Sequence, residues 1–387
     1  MWIGFILAGY SVVGNDSIQT LGTFLSSNED RPWYVLWIFA GSILAATLLY
    51  GWYSSSGDVS YGRLEKYAFI ENMGWPYLLP PLVLMVLTRT GIPVSTSFLI
   101  LTFFKPKGLI DMTMKSLLGY VLAFAAAILI WQAITRLLDR RFIKNPITSQ
   151  EKRYWTVLQW GSTGFLWAQW LIQDFANIYV YLPRALSAGE IFVSLTVLLV
   201  MLGYIFYSRG GAIQAIVKAK TNTVDIRSAT IIDFLYALIL LFFKEFSKVP
   251  MSTTWVFLGL LAGREIAIRY QLGKEAYQPS RVFRILGLLA NLVVFGFIAY
   301  VVGYGVYVRL FLPDVKLEIS NVLILSFAAA IIVRALLVFL ETKREAEPMQ
   351  RTFRMVGMDL AKITFGLVVS IALVFLMKWL TGGAVGF

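Results

Sequence analysis

Long apolar runs recur from one end of this chain to the other, and they leave it few ways to fold. A run of roughly 20 apolar residues makes a helix that crosses the hydrocarbon core of a bilayer with its backbone polar groups satisfied inside the segment. Such runs are read as spans at 2–25, 33–53, 115–138, 155–182, 190–207, 283–308, 319–341 and 359–380. With 58% hydrophobic residues and a mean hydropathy of +0.71, the chain is expected to be an all-α polytopic membrane protein. The first run lacks the basic leader and small-residue cleavage site of a signal peptide, so it is assigned to the mature protein.

Two further apolar segments, 76–104 and 231–262, are interrupted by Pro93 and Pro250, each followed by a run of Ser and Thr. Proline breaks a helix and the hydroxyls cap its restart, so both segments read as re-entrant hairpins. Non-helical backbone survives at such depth only where protein or a water-filled cavity covers it. Charge checks the count of spans. On this reading the loops 26–32, 139–154, 208–230, 263–284 and 342–358 share one side and hold 19 Lys and Arg, against 8 in 54–75, 105–116, 183–189 and 308–318. The richer side is expected in the cytoplasm, with both termini outside. Segments 58–72 and 212–228 mix charged and apolar residues and are expected to lie along the membrane surface. Trp2, Trp33, Trp37, Trp75, Trp155 and Trp379 fall near span ends, as an interfacial belt does.

The formal charge of +12 is read as topological, so no nucleic-acid partner is expected. The absence of Cys and His removes disulfides, thiol chemistry and the usual transition-metal ligands. An ion bound here must be a hard one held by oxygens. No Walker, dinucleotide or zinc pattern occurs, so no cofactor and no ATP-driven pumping are expected.

Within the first span stand Asn15-Asp16-Ser17-Ile18-Gln19, and a carboxylate inside the membrane is costly enough to imply a function. The pattern returns in the fourth span as Gln173-Asp174-Phe175-Ala176-Asn177, again amide, Asp, two residues, amide. The hairpin pattern returns too, as Pro93-Val94-Ser95-Thr96-Ser97 and Pro250-Met251-Ser252-Thr253-Thr254. Asp16 precedes Ser95 by 79 residues and Asp174 precedes Ser252 by 78. Two motifs recurring in one order at nearly equal spacing mark an internal repeat. The copies are an odd number of spans apart, so the second is expected to be inserted upside down. Inverted repeats with discontinuous helices are a hallmark of secondary transporters. The divisions are 1–138, a first repeat of broken helix, span, re-entrant hairpin and span; 139–154, a basic cytoplasmic linker; 155–308, the second repeat; and 309–387, two additional spans.

A restarting helix points unpaired N–H groups and the positive end of its dipole at the break, which suits an oxyanion. Ser95, Thr96, Ser97, Ser252, Thr253 and Thr254 add hydroxyl donors, though the same groups could simply satisfy backbone at a proline kink. Carboxylate and amide oxygens in each half could hold a dehydrated sodium ion, or could tie helices together. Two intramembrane Asp residues could also share a proton as an aspartyl hydrolase does, a reading that gives the Ser/Thr hairpins no role. Arg89, Lys244 and Lys248, near the hairpin tips, are read as snorkelling or locally paired. Asp233 breaks the repeat symmetry and is a weaker candidate.

On these residues the chain resembles a divergent member of the inorganic phosphate transporter (PiT) family, whose repeats carry G-A-N-D-V-A-N and G-x-P-V-S-T-T-H. The first element stands here as Gly14-Asn15-Asp16-Ser17-Ile18-Gln19 and Gln173-Asp174-Phe175-Ala176-Asn177, and the second as Gly91 to Phe98 and Val249 to Trp255. The family His is replaced by Phe98 and Trp255, and one Asn of each copy by Gln19 or Gln173. The resemblance implies a sodium-coupled symporter of inorganic phosphate, not an enzyme, in the plasma membrane and assembled as a homodimer. It implies that Asn15, Asp16, Ser95, Thr96, Ser97, Gln173, Asp174, Ser252, Thr253 and Thr254 bind substrate. Sodium would fall to Asp16, Gln19, Asp174 and Asn177. Sulfate or another oxyanion in place of phosphate, and protons in place of sodium, stay open.

Overall fold

The computed structural model describes residues 1–71, 73–89, 95–134, 147–208, 226–246, 251–274 and 364–376, with scattered positions between 285 and 379. Its helices are α1 (Trp2–Ser27), α2 (Trp33–Ser54), α3 (Leu79–Arg89), α4 (Thr96–Phe104), α5 (Leu109–Ile134), α6 (Ser149–Tyr179), α7 (Ala188–Tyr207), α8 (Ile226–Phe246) and α9 (Thr253–Lys274). A further helical stretch covers Thr364–Leu376. No strand occurs among the described residues. The spans expected at 283–308 and 319–341 and the segment 212–225 lie largely outside them.

Local chemistry explains where the helices begin. Thr148 and Glu151 form a capping box at the start of α6, and Ser187 and Glu190 form another at α7. In each, the hydroxyl accepts from the Glu backbone N–H while the Glu carboxylate accepts from the backbone N–H of the cap. Pro80 and Pro81 stand in the first turn of α3, where a missing N–H costs no hydrogen bond.

The packing fits a lipid solvent. Trp33–Ser54, Pro106–Ile128 and Ala188–Tyr207 are long and apolar enough to cross a membrane. The buried stripe of α2 runs through Leu36, Ala40, Leu44, Leu48 and Gly51, yet Ile38, Leu49 and Tyr53 on its other faces are exposed. Phe192, Val200 and Tyr204 are likewise exposed on α7. Helices that present apolar side chains both inward and outward match an apolar surrounding. α1 and α6 are as long as spans, but their inner faces carry the polar motifs.

Those motifs lie in unbroken helix, which corrects the expectation of a broken first helix. Between Asn15 and Gln19 there is no proline, and the hydroxyls bond back into the turn: Ser17 donates to the Val13 carbonyl and Thr20 to that of Asp16 at 3.1 Å. α6 likewise runs through Gln173 and Asn177 to Tyr179. The discontinuities are at the hairpins.

The chain divides into two units, one of Met1–Ala123, Pro146–Leu261 and Met358–Phe387, the other of Phe124–Asn145 and Ala262–Gly357. In the first, α1 and α6 pack antiparallel. Phe5, near the start of α1, meets Tyr179 at the end of α6 (centroids 5.3 Å), while Phe24 meets Trp160 at 5.2 Å. α2 and α7 are antiparallel too, with Trp33 against Tyr207 at one end and Trp52 Nε1 donating to the Leu186 carbonyl (2.7 Å) at the other. Trp37, read as interfacial, instead donates to the Leu199 carbonyl of α7 at 3.0 Å. The equivalent helices of the two sequence copies therefore run in opposite senses.

Segment 58–67 does not lie along a surface as expected. It is a string of turns folded inward, with Val59, Ser60, Arg63, Leu64 and Tyr67 buried. Asp58 accepts from the Ser60 and Gly62 N–H groups (both 2.7 Å), and Gly62 takes φ +74°, a conformation that suits glycine. Tyr61 ties the turn to the Thr47 carbonyl, and Arg184 donates to the carbonyls of Tyr67 and Ala68. Loops 105–116 and 183–189 each meet loop 54–75, Lys105 at the Lys66 carbonyl and Arg184 at that of Tyr67, as a common side of the membrane requires.

In the first unit, Gly259 of α9 lies so close to the Tyr120 carbonyl of α5 that a Cβ there would collide with backbone. Gly259→Ala should therefore destabilise the helix pair by about 1–3 kcal/mol, read as a lower unfolding temperature in detergent. Gly161→Ala, with open space around it, is the control and should leave the temperature unchanged.

Candidate functional site

Asp16 of α1 and Asp174 of α6 are 1% and 0% exposed, and the restarting helices α4 and α9 begin against them. Each restarting helix is capped in the same way. The Ser95 hydroxyl accepts from the Phe98 N–H and the Ser252 hydroxyl from the Trp255 N–H, both at 3.2 Å. The next residue in each hairpin turns to a carboxylate. Thr96 Oγ1 donates to Asp16 Oδ2 at 2.6 Å, and Thr253 Oγ1 donates to Asp174 Oδ2 at 2.8 Å. Ser97 Oγ donates to the Met251 carbonyl at 3.2 Å, joining the two segments. The Ser252 N–H donates to Ser116 Oγ of α5 at 2.8 Å, and Thr254 is buried beside it.

The amides complete a continuous network. Asn15 Nδ2 donates to Asp16 Oδ1, while Asn177 Nδ2 donates both to Asp174 Oδ1 (2.6 Å) and to Thr96 Oγ1 (3.0 Å). Thr96 and Asn177 thereby connect one repeat's Asp to the other's. In each copy it is the short amide that reaches the neighbouring Asp. The longer Gln173 instead donates to the Leu240 carbonyl of α8 at 3.1 Å. All four carboxylate oxygens accept a hydrogen bond.

Two acceptors stand over. With its nitrogen committed to Asp174 and Thr96, Asn177 leaves a buried Oδ1 with no partner among the described residues, and Gln173 Oε1 is in the same position. Buried acceptors of this kind are where a cation's ligands come from. The Gln19 side chain lies outside the described residues, as do those of Arg89, Lys244 and Lys248. Phe98 and Trp255, where the family pattern has His, pack on each other with centroids 5.3 Å apart.

Asp233 of α8, read as a weaker candidate, is 1% exposed and held from both motif helices. Thr23 Oγ1 of α1 and Thr163 Oγ1 of α6 donate to its two oxygens, each at 2.6 Å. The spacing carried this signal: Thr23 is seven residues after Asp16 and Thr163 eleven before Asp174, so each shares its helix face with the motif Asp. Sequence reasoning missed Arg63 entirely. Its side chain is 4% exposed, its Nε donates to the Ile172 carbonyl at 3.0 Å, and its charge is felt by Asp174 and Lys115. As a loop cation it had counted only toward topology.

Thr96→Val keeps the shape but takes a donor from Asp16 and an acceptor from Asn177. It should cost about 1–3 kcal/mol, seen as a lower unfolding temperature, whereas Thr113→Val on α5, whose hydroxyl only back-bonds the Leu109 carbonyl, should cost little.

No family model and no curated protein matches the chain. Among solved structures it is similar to "The sodium-dependent phosphate transporter", at 15% sequence identity and a TM-score of 0.46, over 88% of this chain and 97% of that one.

Proposed function

We propose that the protein is a secondary transporter that carries an inorganic oxyanion, phosphate in the first instance, together with sodium. The observation that carries the reading is the network from Asn15 through Asp16, Thr96, Asn177 and Asp174 to Thr253. It joins two antiparallel helices to the N-termini of two helices that restart inside the bundle. Helix N-termini and hydroxyls favour an anion, whereas two buried carboxylates repel one. Both features are useful in one place only if cations bind with the anion. Sodium on Asp16 and Asp174, completed by Asn177 Oδ1 and its counterpart Gln19, supplies that charge. Ser95 and Ser252, whose hydroxyls accept in capping and keep an O–H to give, are then donors for the oxyanion. Repeats 1–138 and 155–308 would rock about this centre, in a plasma membrane with both termini outside.

Uptake of labelled phosphate into liposomes tests the reading. An inward sodium gradient should drive it, and replacing sodium by choline should abolish it. Asp16→Asn or Asp174→Asn should raise the sodium concentration for half-maximal uptake by about tenfold or more, since each removes a charged ligand. Uptake that follows an imposed proton gradient instead would remove sodium from the proposal.

Competition separates phosphate from sulfate. Near neutral pH phosphate keeps a P–OH that a carboxylate can accept, while sulfate offers only acceptors. A site that pairs a substrate hydroxyl can reject the analogue lacking it by up to about 10⁴-fold. Excess arsenate, which keeps the hydroxyl, should inhibit uptake and excess sulfate should not. The reverse would replace phosphate as the substrate.

A further inference from the structure

The buried orphans around the Asp pair are of two kinds, and the kinds select opposite ligands. Gln173 Oε1 and Asn177 Oδ1 are acceptors, which a cation satisfies. Arg63 Nη1 is a donor on a permanent cation, and it has no partner among the described residues. A buried charged N–H left unpaired costs several kcal/mol, so the fold would be expected to discard it or pair it. This fold instead builds a support for it. Asp58, Ser60 and the left-handed Gly62 shape the turn, Tyr61 anchors it to α2, and Arg184 straps its far end. The result delivers a guanidinium from a loop into the interior, where Nε is held by the Ile172 carbonyl, two residues from Asp174.

Lys115 of α5 is buried as well. It immediately precedes Ser116, whose hydroxyl receives the N–H of Ser252 at the second hairpin tip. We infer that Arg63 is a direct binding group for the transported oxyanion, its free Nη1 N–H meeting an oxygen of a phosphate-like dianion. This rests on the oxyanion reading above and adds that part of the anion's charge is met by the protein itself rather than by sodium. A guanidinium offers a fixed planar fork that a lysine cannot reproduce.

Binding of labelled inorganic phosphate to the purified full-length protein in detergent, with sodium present, tests this. Arg63→Gln should weaken binding by about 30-fold or more, and Arg63→Lys, which keeps the buried charge and spares the fold, by about 5–10-fold. The stabilisation that sodium alone gives against thermal unfolding should persist in Arg63→Lys. If Arg63→Lys binds phosphate as the parent does, the inference fails and the oxyanion reading stands. If it loses the sodium effect along with phosphate, Arg63 only positions Asp174 and the inference also fails. If the parent protein itself binds no phosphate, the oxyanion reading falls and takes the inference with it.

Discussion

Burying two carboxylates in the middle of an apolar bundle is the constraint from which the rest of this structure follows. Water cannot solvate Asp16 or Asp174, so protein donors must, and an interior of regular helices has none to spare. Breaking two helices supplies them. Each break frees the hydroxyl that begins a new helix, Thr96 for Asp16 and Thr253 for Asp174, while the preceding serine caps the exposed backbone. The hairpins and the carboxylates therefore account for each other. Either feature alone would be a liability in a membrane; together they make a polar centre that is largely satisfied and still has acceptors left over.

Much of this was legible in the chain. Among the described residues the apolar runs gave helices at the expected places, and the paired motifs located both halves of the polar centre, because charge inside a hydrophobic run has so few innocent explanations. The antiparallel packing of α1 on α6 follows from counting crossings. What escaped the sequence was tertiary. Whether a helix breaks at Asn15–Gln19 depends on hydroxyls such as Ser17 bonding back to carbonyls, and periodicity does not report that. Segment 58–67 has the composition of a surface element, yet its turns are held by bonds to Thr47 and to Arg184, the latter 117 positions from Tyr67. Arg63 was hidden with it.

Asp233 shows how a residue without a symmetry mate can still be built into the plan. Two threonines lying on the same helix faces as the motif Asp residues hold it, so its carboxylate is fixed to both halves at once. A change in the packing of α1 on α6 would have to break one of those bonds. Just beyond, Asn28 and Gln159 bond across the same pair of helices at 3.1 Å, continuing a polar seam between them.

The two halves are alike in plan but not in chemistry, and the difference bears on how an ion would meet them. Asp16 takes its amide from the residue before it, Asn15, and Asp174 from the residue three after it, Asn177. Asn177 also reaches across to Thr96, and Asp174 lies in the field of Arg63. Repetition created two carboxylate sites, and the exchanged positions of Asn and Gln made them unequal. A cation at Asp174 would compete with a nearby guanidinium, whereas one at Asp16 would not. The sites would thus fill in an order set by that asymmetry, with the oxyanion, by neutralising Arg63, strengthening the site that the arginine opposes. On the proposed function, coupling between anion and cation would need no long-range path, because Arg63 would stand between the two.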